Sequence, residues 1–345
     1  MALDGTGHVS STTIHGASCL QTVHRHGSVT SAQQMLGAAL IHPDVRAVMP
    51  LRPAPIVKHD GADHNDCERH AAQRLVAKLR QEHPHLQGLV TEDRLRSNAP
   101  HIATLHADDL HDILGVKDGD HALLCPQVQA AEHTGRVTYD ERHDRAAGLR
   151  PRGRLVHDVP LHEANAEVRV HFIAYWESGE DQVQPFSWVT DLRVRKRNVL
   201  RLRRGGRARW KIAHETFNTL KHPGYHFEHH DGHGTQPLAV VFALLMMLAC
   251  LVDQTPQRGC AWFQAVWSTL GSKRWLWERM RALFYAEALE SMRHLLEALL
   301  DGLKKPTPSF ASDSSERAID SRCDRRPSNQ PISPPVGGSY AYRTR

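Results

Sequence analysis

The chain has 345 residues, with 43 Lys and Arg against 38 Asp and Glu and a formal net charge of +5. That length suits one large domain or two ordinary ones, and so small an excess of charge over the whole chain excludes a uniformly polycationic protein. Six cysteines without a C-x-x-C pair exclude a disulfide framework or zinc ribbon and point to a reducing compartment.

Met1-Ala-Leu-Asp-Gly-Thr-Gly reads as the end of a strand running into a glycine turn, and a strand opening at the first residue predicts that a segment upstream is missing. No apolar leader of the signal-peptide kind is present. Gln34 to Ile41 and Arg46 to Leu51, separated by His42-Pro43-Asp44, predict a hairpin. Asp63 to Glu82 predicts a helix with Ala71, Leu75, Val76 and Leu79 on its inner face. Leu89-Val90-Thr91 is a short buried strand leading into Glu92-Asp93. Ala99 to Leu110 predicts a helix, and Asp112 to Lys117 another short strand.

From Gly119 to Thr190 the texture changes to strands at 136–139, 154–156, 168–175 and 183–189, joined by charged loops, which predicts a strand-rich insertion. Helix resumes near Lys196 and runs to about Lys221. Leu238 to Val252 is an unbroken apolar run of 15 residues, short of the roughly 18–20 needed to cross a bilayer, so it predicts a buried core helix and no membrane. Phe263 to Leu303 predicts a last helical stretch. Beyond Lys304 the chain is rich in Pro, Ser and Arg without apolar periodicity and reads as a disordered tail. The expected divisions are 1–118, 119–192, 193–235, 236–303 and 304–345, in a mixed α/β fold.

Three acids stand at places where carboxylates converge in such folds. Asp4 ends the first strand, Asp93 follows the Leu89–Thr91 strand, and Glu215 lies on the late helix. Taken singly, each is an ordinary surface acid. Taken together, they suit Mg²⁺, which takes oxygen ligands from a few carboxylates and keeps several waters, and paired Mg²⁺ ions clamp both oxygens of a phosphoryl transfer.

The stretch Arg207-Ala-Arg-Trp-Lys-Ile-Ala-His-Glu-Thr-Phe-Asn-Thr-Leu-Lys221 resembles the signature helix of insertion-sequence DDE transposases through Arg209, Trp210, Ile212, Glu215, Phe217 and Lys221. Asp4-Gly-Thr-Gly resembles the first Asp motif of that family, and Val90-Thr-Glu-Asp93-Arg-Leu95 its second. The resemblance covers Asp4 to about Leu303. It implies a ribonuclease H-like mixed sheet with a β-rich insertion before the last catalytic helix and a helical C-terminal extension. It also implies Mg²⁺, with Mn²⁺ as the alternative ion, held by Asp4, Asp93 and Glu215, and DNA transposition by strand cleavage and transfer. The partners implied are double-stranded DNA and a second copy in a homodimer on DNA, in a bacterial cytoplasm at the nucleoid.

Three departures stand in the sequence. Gly206 occupies the position of the family's Tyr. Ala213 occupies the place of the acid that follows Arg-Trp-x-Ile, so the third acid is Glu215 in a shifted register or is lost. The family's DNA-end-binding segment before the first Asp is missing, which predicts a truncated copy.

Between Arg193 and Lys211 lie ten Lys or Arg and no acid, interleaved with Val194, Val199, Leu200, Leu202 and Trp210. Such a run is either a solvated helix face or a phosphate-binding surface. Its density selects the second, with Arg207, Arg209, Lys211 and Lys221 as DNA contacts and Trp210 in the core. His222, His226, His229, His230 and His233 match no common zinc spacing. The alternative to an enzyme is an inactive DNA-binding remnant of a transposase.

Overall fold

The computed structural model describes residues 1–16, 18–58, 67–93, 97–117, 122–141, 150–163, 165–178, 183–222, 225–229 and 238–304. The glycines of the first strand do not end it. β1 runs from Ala2 to Ser11, because β3 (Val29–His42) pairs antiparallel along its whole length, from Ala2↔Ala39 to Ser11↔Ser31. Ladder hydrogen bonds over nine residue pairs outweigh the local turn preference of Gly5 and Gly7, which leaves only a bulge between Gly7 and Val9. β2 (Leu20–Val23), β4 (Val45–Pro50) and β5 (Ala54–Ile56) also pair with β3, and β3–β4 is the expected hairpin.

Helix α1 (Glu68–Glu82) returns the chain to β6 (Gly88–Glu92), and α2 (Ala99–Ala107) returns it to β7 (Leu110–Gly115). β1, β6 and β7 are mutually parallel. The strand-rich segment is no separate layer. It holds α3 (Leu124–His133), β8 (Thr138–Glu141), β9 (Arg150–His162), β10 (Asn165–Ser178) and β11 (Val183–Thr190). β11 pairs antiparallel with β7, so one mixed sheet is ordered β2-β3-β1-β6-β7-β11-β10-β9-β8. Residues Met1–Leu303 form a single unit around it.

Strand alternation sorts the core into two faces. Leu3 and Leu36 pack on Ala71, Leu75 and Leu79 of α1, while Leu114, Phe172 and Val189 pack on Ile102 of α2 and Val128 of α3. The opposite face carries α4 (Val199–Ala208), a π-helical turn (Ile212–Phe217) and α5 (Asn218–Lys221) as one nearly continuous rod. There Ala2, Met35 and Ala39 meet Ile212, Phe217 and Leu220, and Ile113 and Trp188 meet Val199 and Leu202. Each fully buried Leu, Ile or Phe contributes about 1.5–3 kcal/mol over leaving it exposed.

α6 (Leu238–Gly259) is longer than the apolar run suggested and is the one described helix long and apolar enough to cross a membrane. Only one side of it is core: Ala239, Val240, Ala243, Met247 and Cys250 are buried, while Val241, Phe242, Leu245, Leu248 and Val252 are exposed. The stretch expected as one helix from Phe263 is three, α7 (Ala261–Leu270), α8 (Lys273–Ala286) and α9 (Met292–Lys304). Gly271 ends α7 at φ +69°, a conformation few side chains tolerate.

Candidate functional site

Asp4 and Asp93 reach the same level of neighbouring strands. Ala2 pairs with Thr91 in the parallel β1–β6 ladder, and two residues further along each chain stand Asp4 and Asp93. The end of β6 is fixed by Glu92, whose buried carboxylate is 2.9 Å from His101 Nε2. Asn98 caps α2 by accepting from the His101 backbone N–H at 3.1 Å. Arg94 and Leu95 of the second motif lie outside the described residues.

Arg209 joins the motifs. Its Nη1 donates to Asp4 Oδ2 at 3.0 Å, and it lines a cleft of about 540 Å³ with Glu92, Asp93, Lys117, Trp188 and Gly206. A side chain at Gly206 would stand 2.6 Å from the Trp188 indole nitrogen. Glycine at 206 thus leaves room for the Trp188 indole, and the rod seats flush on β11. Gly37, opposite Asp4 on β3, plays the same part further along: a Cβ there would lie 2.8 Å from the Phe217 ring.

Glu215 is not brought to this cleft. Its Oε1 accepts from Arg46 Nε at 3.1 Å, and it lines a separate cavity of about 330 Å³ with Tyr225, Cys250, Trp267, Lys273 and Trp277. Helix geometry gives the reason. At roughly 100° per residue, the position one turn after Arg209 is four residues on, and that residue is Ala213. Six residues on, through a π turn, points elsewhere. In the second cavity burial pushes Asp253 up and Lys273 down from their ordinary values, and Tyr225 Oη donates to Asp253 Oδ2 in a short bond.

The expected DNA contacts divide. Lys211 is buried, and its Nζ donates to the carbonyls of His42, Pro43 and Val45 at 2.7, 2.8 and 2.9 Å. It latches the β3–β4 turn to the rod and is withdrawn from any DNA surface; burial lowers its pKa. Lys221 pairs with Glu228 at 2.9 Å, and Arg207 lies 4.9 Å over the Phe186 ring. Trp210, expected in the core, is exposed and set edge-on to His214. Arg193, Arg195, Lys196, Arg197, Arg201 and Arg204 are exposed at the head of the rod, with Arg204 paired to Asp44.

A second group of polar side chains escaped the sequence reading. His106, Asp112 and Asp191 offer ligand atoms within 4.8 Å of one another. They come from the end of α2, from β7 and from just past β11, so no local spacing announces them. Of the histidine-rich stretch, His230 and His233 lie outside the described residues. No protein-family model matches the chain, and no curated protein matches it.

Proposed function

We propose that the chain is a DNA-binding protein of the DDE-transposase kind, performing metal-assisted phosphoryl transfer on a ribonuclease H-like core. One observation carries this reading: Arg209 of the third motif reaches Asp4 of the first and lines the same cleft as Asp93 of the second. Arg209 thus links two acids that lie far apart in sequence. The order strand, hairpin, helix, strand, helix, strand, strand-rich segment, helix supports the same reading.

Two half-buried aspartates level on neighbouring strands offer the hard oxygen donors that Mg²⁺ or Mn²⁺ takes. Asp4 and Asp93 would hold the ion, which supplies charge neutralisation at a phosphate and its leaving oxygen. The donor set suits one ion, because Glu215 lies in the other cavity. Arg209, now on Asp4, is placed to bind a phosphate that enters the cleft. Arg193, Arg195, Lys196, Arg197 and Arg201 extend that positive surface for the DNA backbone, giving salt-dependent binding with little sequence selectivity. Two element ends must be held together, which calls for a homodimer on DNA.

The second reading is an inactive DNA-binding remnant. Ala213 at the position one turn beyond Arg209, and the Glu215–Arg46 pair, favour it. The test is cleavage of DNA carrying the sequence that flanks the reading frame, with Mg²⁺ or Mn²⁺. The enzyme reading expects metal-dependent cleavage that Asp93→Asn abolishes while salt-sensitive binding stays. Cleavage retained by Asp93→Asn sinks the site. Binding without cleavage by the unaltered chain establishes the remnant.

A further inference from the structure

We infer that His106, Asp112 and Asp191 form a binding site for one borderline transition ion, Zn²⁺ being the fitting case, separate from the Asp4–Asp93 cleft. His106 Nε2 lies 3.0 Å from Asp112 Oδ2. Asp191 is aimed by its surroundings: its Oδ1 accepts from the Asp112 backbone N–H at 3.0 Å, and its Oδ2 is 2.6 Å from His111 Nδ1. Ligating carboxylates are held in place by hydrogen bonds from outside the ligand set, and the Asp112 backbone N–H and His111 supply such contacts to Asp191. His111 is also near enough to Asp191 to become a fourth ligand.

The independent observation is Asp112 itself. It is 0% exposed, and its Oδ1 has no hydrogen-bond partner in the structure. A buried carboxylate oxygen without a donor has given up its hydration with nothing in return, the more so when charged. Two aspartates side by side add mutual repulsion, and their ion-pair partners are the histidines His106 and His111, which are charged only when protonated. No Lys or Arg among the described residues pairs with either. A cation bound among them satisfies the orphan oxygen and offsets both charges at once.

The donor set decides the ion. One imidazole with two carboxylates, and a second imidazole within reach, suits Zn²⁺ and its neighbours better than Mg²⁺. Ligands around a tetrahedral Zn²⁺ stand roughly 3.4 Å apart for bonds of about 2.1 Å. The 4.8 Å spread therefore needs a closure of up to about 1.4 Å, for which the half-exposed His106 ring has room to turn. Asp112 lies on the α2 face of the sheet, level with Val90, whereas Asp4 faces the rod level with Asp93. The two sites are thus on opposite faces and about 10 Å apart along the strands.

Co²⁺ titration of the metal-free full chain, read by its visible d–d absorption and by bound metal per chain, tests this. The unaltered chain should bind one ion more than His106→Ala or Asp191→Asn, with low-coordinate Co²⁺ bands that Zn²⁺ displaces and excess Mg²⁺ does not. The Asp93→Asn chain and a His226→Ala/His229→Ala chain should keep that ion. Urea melts of the apo variants check that each folds, and Asp191→Asn, at the surface, serves if His106→Ala does not. Equal stoichiometry and spectra in the unaltered chain and Asp191→Asn overturn the site, as does loss of the ion with His226 and His229.

Discussion

The parallel strands β1 and β7 carry acids in two settings, and the contrast lies in their cationic partners. Beyond β6, at the level of Asp93, Asp4 is paired with Arg209, whose guanidinium stays charged at every working pH. In the first half of β7, Asp112 and its neighbour Asp191 face the imidazoles of His106 and His111, which carry charge only when protonated. The arginine end is a standing salt bridge. The histidine end has no permanent cation among the described residues, and a neutral imidazole there offers a lone pair to an ion. Placement in the fold, more than acid content, sets what each pair of aspartates can do.

Gly206→Leu breaks the comparison most strongly. The new side chain meets Trp188 and should lift the rod from β11, lowering stability by about 3 kcal/mol in urea unfolding and weakening DNA binding. The folded fraction should keep its transition-metal site, because that site is on the other face. An unchanged midpoint would mean that Trp188 swings away freely.

Proton titration should separate the two regions by sign. His8, on β1 beyond Asp4 and near Phe227, has its pKa lowered by burial from 6.5 to about 4. Stability is then full above pH 6.5 and falls as pH drops towards 4, by about 3 kcal/mol at most. His106 has its pKa raised by the hydrogen bond to Asp112, so its contribution is full below 6.5 and is lost as pH rises through the folded value. Asp112, raised mainly by burial, works the same way: ionising it costs stability as pH climbs above 3.8. In urea unfolding across pH, His8→Leu should flatten the acid limb and His106→Gln the upper limb. A single common effect from both variants would refute the separation.

Arg209→Gln should change stability by less than about 1 kcal/mol, because the pair with Asp4 is only partly shielded from water. Its readout is DNA binding, where the salt slope should fall by about 1. Glu215→Gln should be smaller still, within about 0.5 kcal/mol, since its partner Arg46 is 89% exposed. A loss of several kcal/mol would show that Glu215 organises the second cavity.

Apolar periodicity makes the hairpin, α1, β6, α2, β7 and the strands of the insertion legible, because each buries one regular face. β1 reads too short in the sequence because pairing with a 14-residue partner overrides glycine. α3 is hidden by a weak apolar stripe, and the breaks between α7, α8 and α9 by continuous Leu and Met spacing. Asp4, Asp93 and Arg209 are readable as motif residues. The turn of Glu215 away from them is not, since a π turn leaves no composition signal. Lys211 reads as a surface cation because nothing local marks three carbonyls presented by a distant hairpin.

That lysine also restrains a motion. Any rotation of the rod that carries Glu215 towards Asp4 must first pull the ammonium off His42, Pro43 and Val45 together. At about 1.5–3 kcal/mol for each charge-assisted bond, the opened form is a scarce excursion. The turn and the rod are therefore held together as one body, and a form with Glu215 turned towards Asp4 is sparsely populated at equilibrium.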